Sequence, residues 1–137
     1  MSARRQLGFV AVEWVAAVGL LLLPVVVFVA TLPVWAERRH AATVAAREAV
    51  RELVRDWPAG DDGGAALVAR EVAADHGVAA DDIVVRVPAA TAVRGGAVRV
   101  EVDVAMPAVA VFGVTAGRWH YTAVAVRRID DYRSLSP

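Results

Sequence analysis

Cysteine and lysine are both missing from the 137 residues. Without thiols the chain has neither disulfides nor thiolate metal ligands, although that alone does not assign a compartment. All fifteen basic side chains are arginine, balanced by fifteen acids for a formal net charge of zero. No concentrated basic face is written in the sequence, so a nucleic-acid partner is not expected. Serine occurs only at Ser2, Ser134 and Ser136, with no Gly-x-Ser-x-Gly. His40, His76 and His120 fall in separate expected elements, without acidic or histidine partners at ligand spacing. Neither a nucleophile with its base nor a metal set can be assembled from these residues, so the expectation is a protein that is not an enzyme, with no cofactor and no small-molecule substrate. Gly63-Gly64 and Gly95-Gly96 lack the spacing and following lysine of a phosphate loop and read as turns. Asp61-Asp62, Asp81-Asp82 and Asp130-Asp131 lack a calcium loop and read as caps and turns, Asp81 and Asp82 as the lead-in to a strand.

Charge is scarcest near the N-terminus. From Val10 to Ala36 the chain reads VAVEWVAAVGLLLLPVVVFVATLPVWA, 27 residues whose only charge is Glu13. At about 1.5 Å per helical residue this exceeds a hydrocarbon core of about 30 Å. Sixteen Leu, Val and Phe side chains lie between Phe9 and Val34. At roughly 0.3 to 0.6 kcal/mol each they favour insertion by about 5 to 10 kcal/mol, against about 2.5 to 3.5 kcal/mol for one central acid. Glu13 lies near one end of the run, where headgroups are within reach, so a membrane helix is expected.

A basic leader, Met1 to Leu7 with Arg4 and Arg5, ends in Gly8; Phe9 follows, and Glu13 is the fifth residue counted from Phe9. This arrangement resembles the processing site of type IV pilin-like proteins. The short leader, the AVEW segment, the Leu-rich run containing Pro24 and the Arg/Ala-rich continuation resemble, within that group, the TadE-like pseudopilins of tight-adherence pilus systems. The resemblance covers residues 1 to about 56, and the remainder agrees only in length and pattern. It implies cleavage by a prepilin peptidase between Gly8 and Phe9. It also implies pairing of Glu13 with the free N-terminal amine of a neighbouring subunit, and partners that are other pilin-like subunits meeting through the hydrophobic helix. The implied location is the cell membrane, single-pass, with the N-terminus cytoplasmic, the head extracytoplasmic and incorporation into a surface pilus.

Other readings of the same residues stand beside it. Glu13 is equally suited to snorkel in an ordinary uncleaved single-span protein with a small binding head. Val34-Trp35-Ala36 offers a signal-peptidase site that would release a secreted domain starting at Glu37, although a secretory apolar region is usually only about 7 to 15 residues. Arg4-Arg5 followed by Leu7 faintly resembles a twin-arginine signal, with Gly8 where an apolar residue is expected. The positive-inside count sets Arg4 and Arg5 against Arg38, Arg39, Arg47, Arg51 and Arg55, which favours a cytoplasmic C-terminus. Pairing of Glu48 with Arg51 and Glu52 with Arg55 at i, i+3 places those arginines in a folded helix, and the N-terminus-inside orientation is therefore preferred.

The fold class expected is α+β: a long N-terminal helix, transmembrane over 9–36 and amphipathic over 37–57, then a small head over 58–137 with one helix and a three-stranded antiparallel sheet. Pro24 is expected to kink the helix. Ala42, Ala46, Ala49, Val50, Leu53 and Trp57 recur at helical spacing, and Trp57-Pro58 with the following glycines and aspartates ends the helix. Residues 64–77 form the second helix, stopping at Gly77. Strands are expected over Ile83 to Val87, over Val98 to Val104 with four valines on one face, and over Trp119 to Arg127. Gly95-Gly96 is expected to supply a tight turn between the first two strands. The apolar stretch from Pro107 to Ala116 reads as a connection, buried or exposed as a lip towards a membrane or partner. The tail is expected to fray after Tyr132.

Overall fold

The computed structural model describes residues 3–55, 62–88 and 95–130, with side chains from Ala11 onward and without that of Asp62. The expected helix end at Trp57-Pro58 and the tail beyond Asp130 lie outside the described residues. The architecture is the expected α+β one. Helix α1 spans Ala3–Arg55, α2 spans Asp62–Asp75, and a single 3-10 turn, Ala80–Asp82, leads into strand β1, Ile83–Arg86. Strands β2, Ala97–Val111, and β3, Val114–Arg128, complete an antiparallel sheet of order β1-β2-β3.

Helix α1 is 53 residues long and starts at Ala3, within the expected leader, so Gly8 and Phe9 have helical backbone. It runs without interruption through Pro24 and Pro33. Its two halves meet different surroundings. Every described residue from Ala11 to Ala30 is exposed except the half-buried Val27, whereas Ala41, Ala42, Ala45, Ala46, Ala49, Val50 and Leu53 are buried. These positions recur every three or four residues and form one stripe. The stripe packs on the valine face of β2, where Val98, Val100, Val102 and Val104 are all buried, and α2 adds Ala65, Ala69 and Ala73 to the same core. The opposite flank of α1 carries the expected pairs Glu48–Arg51 at 3.3 Å and Glu52–Arg55 at 3.0 Å.

Helix α2 closes at Gly77 (φ 74°), where the Val78 N–H donates to the Ala73 carbonyl and the Gly77 N–H to the Ala74 carbonyl, both at 2.9 Å. The sheet departs from expectation at two places. Gly95 has positive φ but Gly96 does not, and the paired residues of β1 and β2 end at Arg86 and Glu101, so no two-residue turn joins these strands. The second departure is larger. The apolar stretch from Pro107 to Ala116 is no connection at all: it is the outer arm of a β2–β3 hairpin, paired from Ala97↔Arg128 to Val111↔Val114. Phe112 (φ 49°) and Gly113 (φ 80°) form its two-residue loop, the mirror-image turn whose twist suits adjoining strands.

Candidate functional site

Beyond Val104 one edge of β2 has no strand beside it among the described residues. Strand β1 pairs with β2 only over Glu101 to Val104, so from Ala105 outward this edge faces α1. Bare strand edges expose backbone groups that need partners. Three side chains of α1 supply them. Arg38 donates to the Ala105 carbonyl at 2.5 Å, and the Trp35 indole N–H donates to the Pro107 carbonyl at 2.6 Å. The Thr31 hydroxyl accepts from the Ala110 N–H at 3.1 Å while donating to the Val27 carbonyl at 2.8 Å. Thr31, Trp35 and Arg38 are spaced i, i+4, i+7, hence on one helix face. They act as a substitute strand and fix the hairpin antiparallel to α1, its tip towards the helix N-terminus. Among the described residues, no buried side-chain nitrogen or oxygen lacks a hydrogen-bond partner.

Between the pairs Pro107↔Arg118 and Val109↔Ala116, Ala108 and Gly117 stand opposite each other without a ladder pair. Gly117 has φ of 69°, and a Cβ placed there would lie 2.7 Å from the Ala108 Cβ. Only glycine fits this approach without moving backbone.

Aromatic and charged residues gather at the level where α1 leaves its apolar half. Trp35 lies edge-on to Phe28 at 5.9 Å and to Trp119 at 5.8 Å. Next along the helix, Arg38 pairs with Asp82 at 3.0 Å, and Arg118 of β3 reaches the other Asp82 oxygen at 3.4 Å. The Arg39 guanidinium stands 5.1 Å from the centre of the Tyr121 ring. On the outer face of the sheet, Asp103 is buried although its strand alternation points it outward. Thr122 and Arg86, the latter at 2.5 Å, cover it from the flanking strands.

The residues singled out from the sequence lie at the far end of α1. Gly8 and Phe9 sit in its first turns, and the side chains of Arg4, Arg5 and Phe9 are outside the described residues. Glu13 is exposed beside the exposed Trp14, and no described residue forms an ion pair with it. The α1–α2 packing brings His40 and His76 to a ring separation of 5.6 Å, in a hollow that Glu37 and Asp75 also line. His76 Nδ1 lies 2.8 Å from the Val72 carbonyl, and no group of three potential ligands capable of holding a metal ion occurs among the described residues. His120 stays apart on β3.

Helix α1 is long and apolar enough to cross a membrane, and only 6% of its most apolar window is buried, whereas the core helix of a soluble domain is mostly covered. No protein-family model, curated protein or solved structure matches the chain.

Proposed function

We propose that the chain is a pilin-like structural subunit, a minor pilin or pseudopilin of the TadE-like kind, serving a tight-adherence-type pilus or related secretion assembly. In this reading the N-terminus is cytoplasmic, the head is extracytoplasmic, and a prepilin peptidase cuts between Gly8 and Phe9. The observation that carries it is the continuity of α1. A single helix is bare and apolar over one half, with one carboxylate near its start, and passes unbroken into the core of a small α+β head. Such a helix anchors and assembles. Because the cleavage site lies in the second turn of α1, far along the helix from Ala41 and the rest of the core stripe, opening it for a peptidase disturbs none of the head's packing.

Glu13 would pair with the new amine of Phe9 on a neighbouring subunit, which offsets the cost of a carboxylate in lipid. Release of a secreted domain after Ala36 is the weaker reading, since it discards Thr31 and Trp35, two of the three side chains that hold the hairpin.

The test is the N-terminus of the protein recovered from its host, by intact mass and terminal sequencing, beside a Gly8→Ala version. The expected result is a chain starting at Phe9 with the variant uncut. A start at Glu37 would overturn the proposal in favour of secretion, and an uncut native chain in favour of a plain membrane anchor. Glu13→Ala is expected to leave membrane insertion intact and abolish incorporation into the assembly.

A further inference from the structure

Two stretches of this chain, far apart in sequence, are free of charge and end at the same place. On α1 no charged residue occurs between Glu13 and Glu37; on the hairpin none occurs between Asp103 and Arg118. Arg38, next to the first boundary, and Arg118, at the second, both contact Asp82. The ends of the two uncharged stretches are therefore marked by one cluster, with Trp35 and Trp119 in contact beside it. Ionic groups beside paired tryptophans suit the water-facing side of a membrane boundary.

The hairpin continues past that boundary. Ala105, Pro107 and Ala110 meet Arg38, Trp35 and Thr31 in turn, so the strand advances towards the N-terminus of α1 as it leaves the head. The turn lies beyond Ala110, roughly 17 to 23 Å on the apolar side of Arg38 by helical and strand rises. Its residues are apolar and bare. Phe112 is 101% exposed, Val114 71% and Val109 36%. Phe112 also holds a left-handed backbone conformation that asparagine or glycine adopts more readily. A bulky ring in that position, touching nothing in its own chain, gains nothing from the fold.

We propose that the Phe112–Gly113 tip is a second membrane contact: it dips into the bilayer beside α1, with lipid as its occupant. The inference rests on α1 crossing a membrane, as in the function proposed above, and not on the subunit entering a filament. The hairpin's own chemistry limits its depth. Thr31 satisfies the inner edge at Ala110, but among the described residues the outer edge of β3 has no strand beside it, and unpaired backbone groups are costly in the hydrocarbon centre. The tip therefore settles where headgroups meet acyl chains, the depth at which interfacial elements bind, and this leaves Arg38 and Asp82 on the water-facing side of the headgroups. The head is thus held at two points, which fixes its tilt and rotation on the membrane instead of leaving it to swing on one helix.

The absence of cysteine makes the test direct. Single-cysteine versions Phe112→Cys, Leu21→Cys and Val126→Cys of the full chain carry a nitrobenzoxadiazole label in phosphatidylcholine–phosphatidylglycerol vesicles, and quenching is read with lipids spin-labelled at shallow or deep positions. The expected result is blue-shifted emission at 112 lost chiefly to the shallow quencher, loss at 21 chiefly to the deep one, and no loss at 126. Quenching at 21 with a water-like, unquenched 112 would overturn the inference while leaving the membrane helix in place. No quenching at 21 would overturn the membrane reading and the inference together. A blue-shifted 112 that no lipid quencher reaches would mean that protein, a second copy of the chain, covers the tip, and this too overturns the proposal. Quenching at 126 equal to that at 112 would mean the head lies flat, without a specific tip contact.

Discussion

The two halves of α1 are built from different apolar residues. Between Ala11 and Ala30 the helix presents Leu20 to Leu23, Val25, Val26, Phe28 and Val29, all exposed; between Ala41 and Leu53 the buried stripe is mainly alanine. Both halves are apolar, so hydrophobicity alone does not distinguish them. Size does. Large side chains on the bare half maximise apolar surface offered to lipid, in which each favours insertion by roughly 0.3 to 0.6 kcal/mol. Alanines on the packed half let the valine face of β2 and the alanine face of α2 approach the helix backbone, and their helix propensity keeps the stripe regular. The changeover, from Val27 to Arg38, is where the hairpin docks through polar groups instead of close packing.

That comparison is most sharply tested by adding the same bulk to each half. Ala45 is 0% exposed, so Ala45→Leu must push apart the helix and the elements packed on it. It is expected to cost about 2 kcal/mol of head stability by overpacking. Ala16→Leu, on the exposed face, should change head stability by less than about 0.5 kcal/mol. Denaturant unfolding of the full chain in micelles, followed through tryptophan emission, reads both. Equal effects would mean that the bare half is also packed.

The changeover segment has its own test. Thr31→Val keeps the shape of a residue only 1% exposed but removes the hydroxyl, leaving the buried Ala110 N–H without its partner. The expected loss is about 1 to 2 kcal/mol, confined to the hairpin arm, because an orphaned buried donor carries its full desolvation cost. Hydrogen exchange should speed up at Ala110 by about ten-fold, with the amides of Val100 and Val102 unaffected. Uniform acceleration across the sheet would show that the arm and the head open as one unit.

Which of these features the sequence discloses depends on how far apart the interacting residues are. The strict alternation of Val98, Val100, Val102 and Val104, the alanine stripe and the i, i+3 ion pairs are local, and all are found in the fold as read. The hairpin arm was missed although its signal is local too: Val109 and Val111 alternate up to a Phe-Gly pair, and glycine at the second loop position is a hairpin mark. Reading Pro107 as a loop residue hid it; proline is tolerated there because α1, not a strand, lies along that edge. The docking contacts were beyond local reach, joining Thr31 to Ala110 and Trp35 to Pro107 across 79 and 72 residues. Their trace in the sequence is the spacing of polar groups within the apolar run, since Thr31, Trp35 and Arg38 share a helix face. The approach of His40 to His76 left no such trace, because it depends on how α2 turns back against α1.

The smallest expected effect separates the ion pairs of the two environments. Glu48–Arg51 lies on the outer flank of the packed half, with side chains 37% and 64% exposed, whereas Arg38–Asp82 stands at the changeover with 22% and 16% exposed. Solvent and salt screen the first pair, whose side chains also lose rotamer freedom in meeting. Glu48→Gln should therefore cost no more than about 0.3 kcal/mol, and that difference should vanish at high ionic strength. Asp82 holds two arginines from different elements in a more sheltered place, and the salt sensitivity of Asp82→Asn should be correspondingly weaker. Measuring both variants across a salt series in micelles gives the comparison directly. A loss at Glu48 that persists in high salt would mean that the outer flank of α1 is shielded from water, as it would be if the helix were covered along its whole length and not only below Arg38.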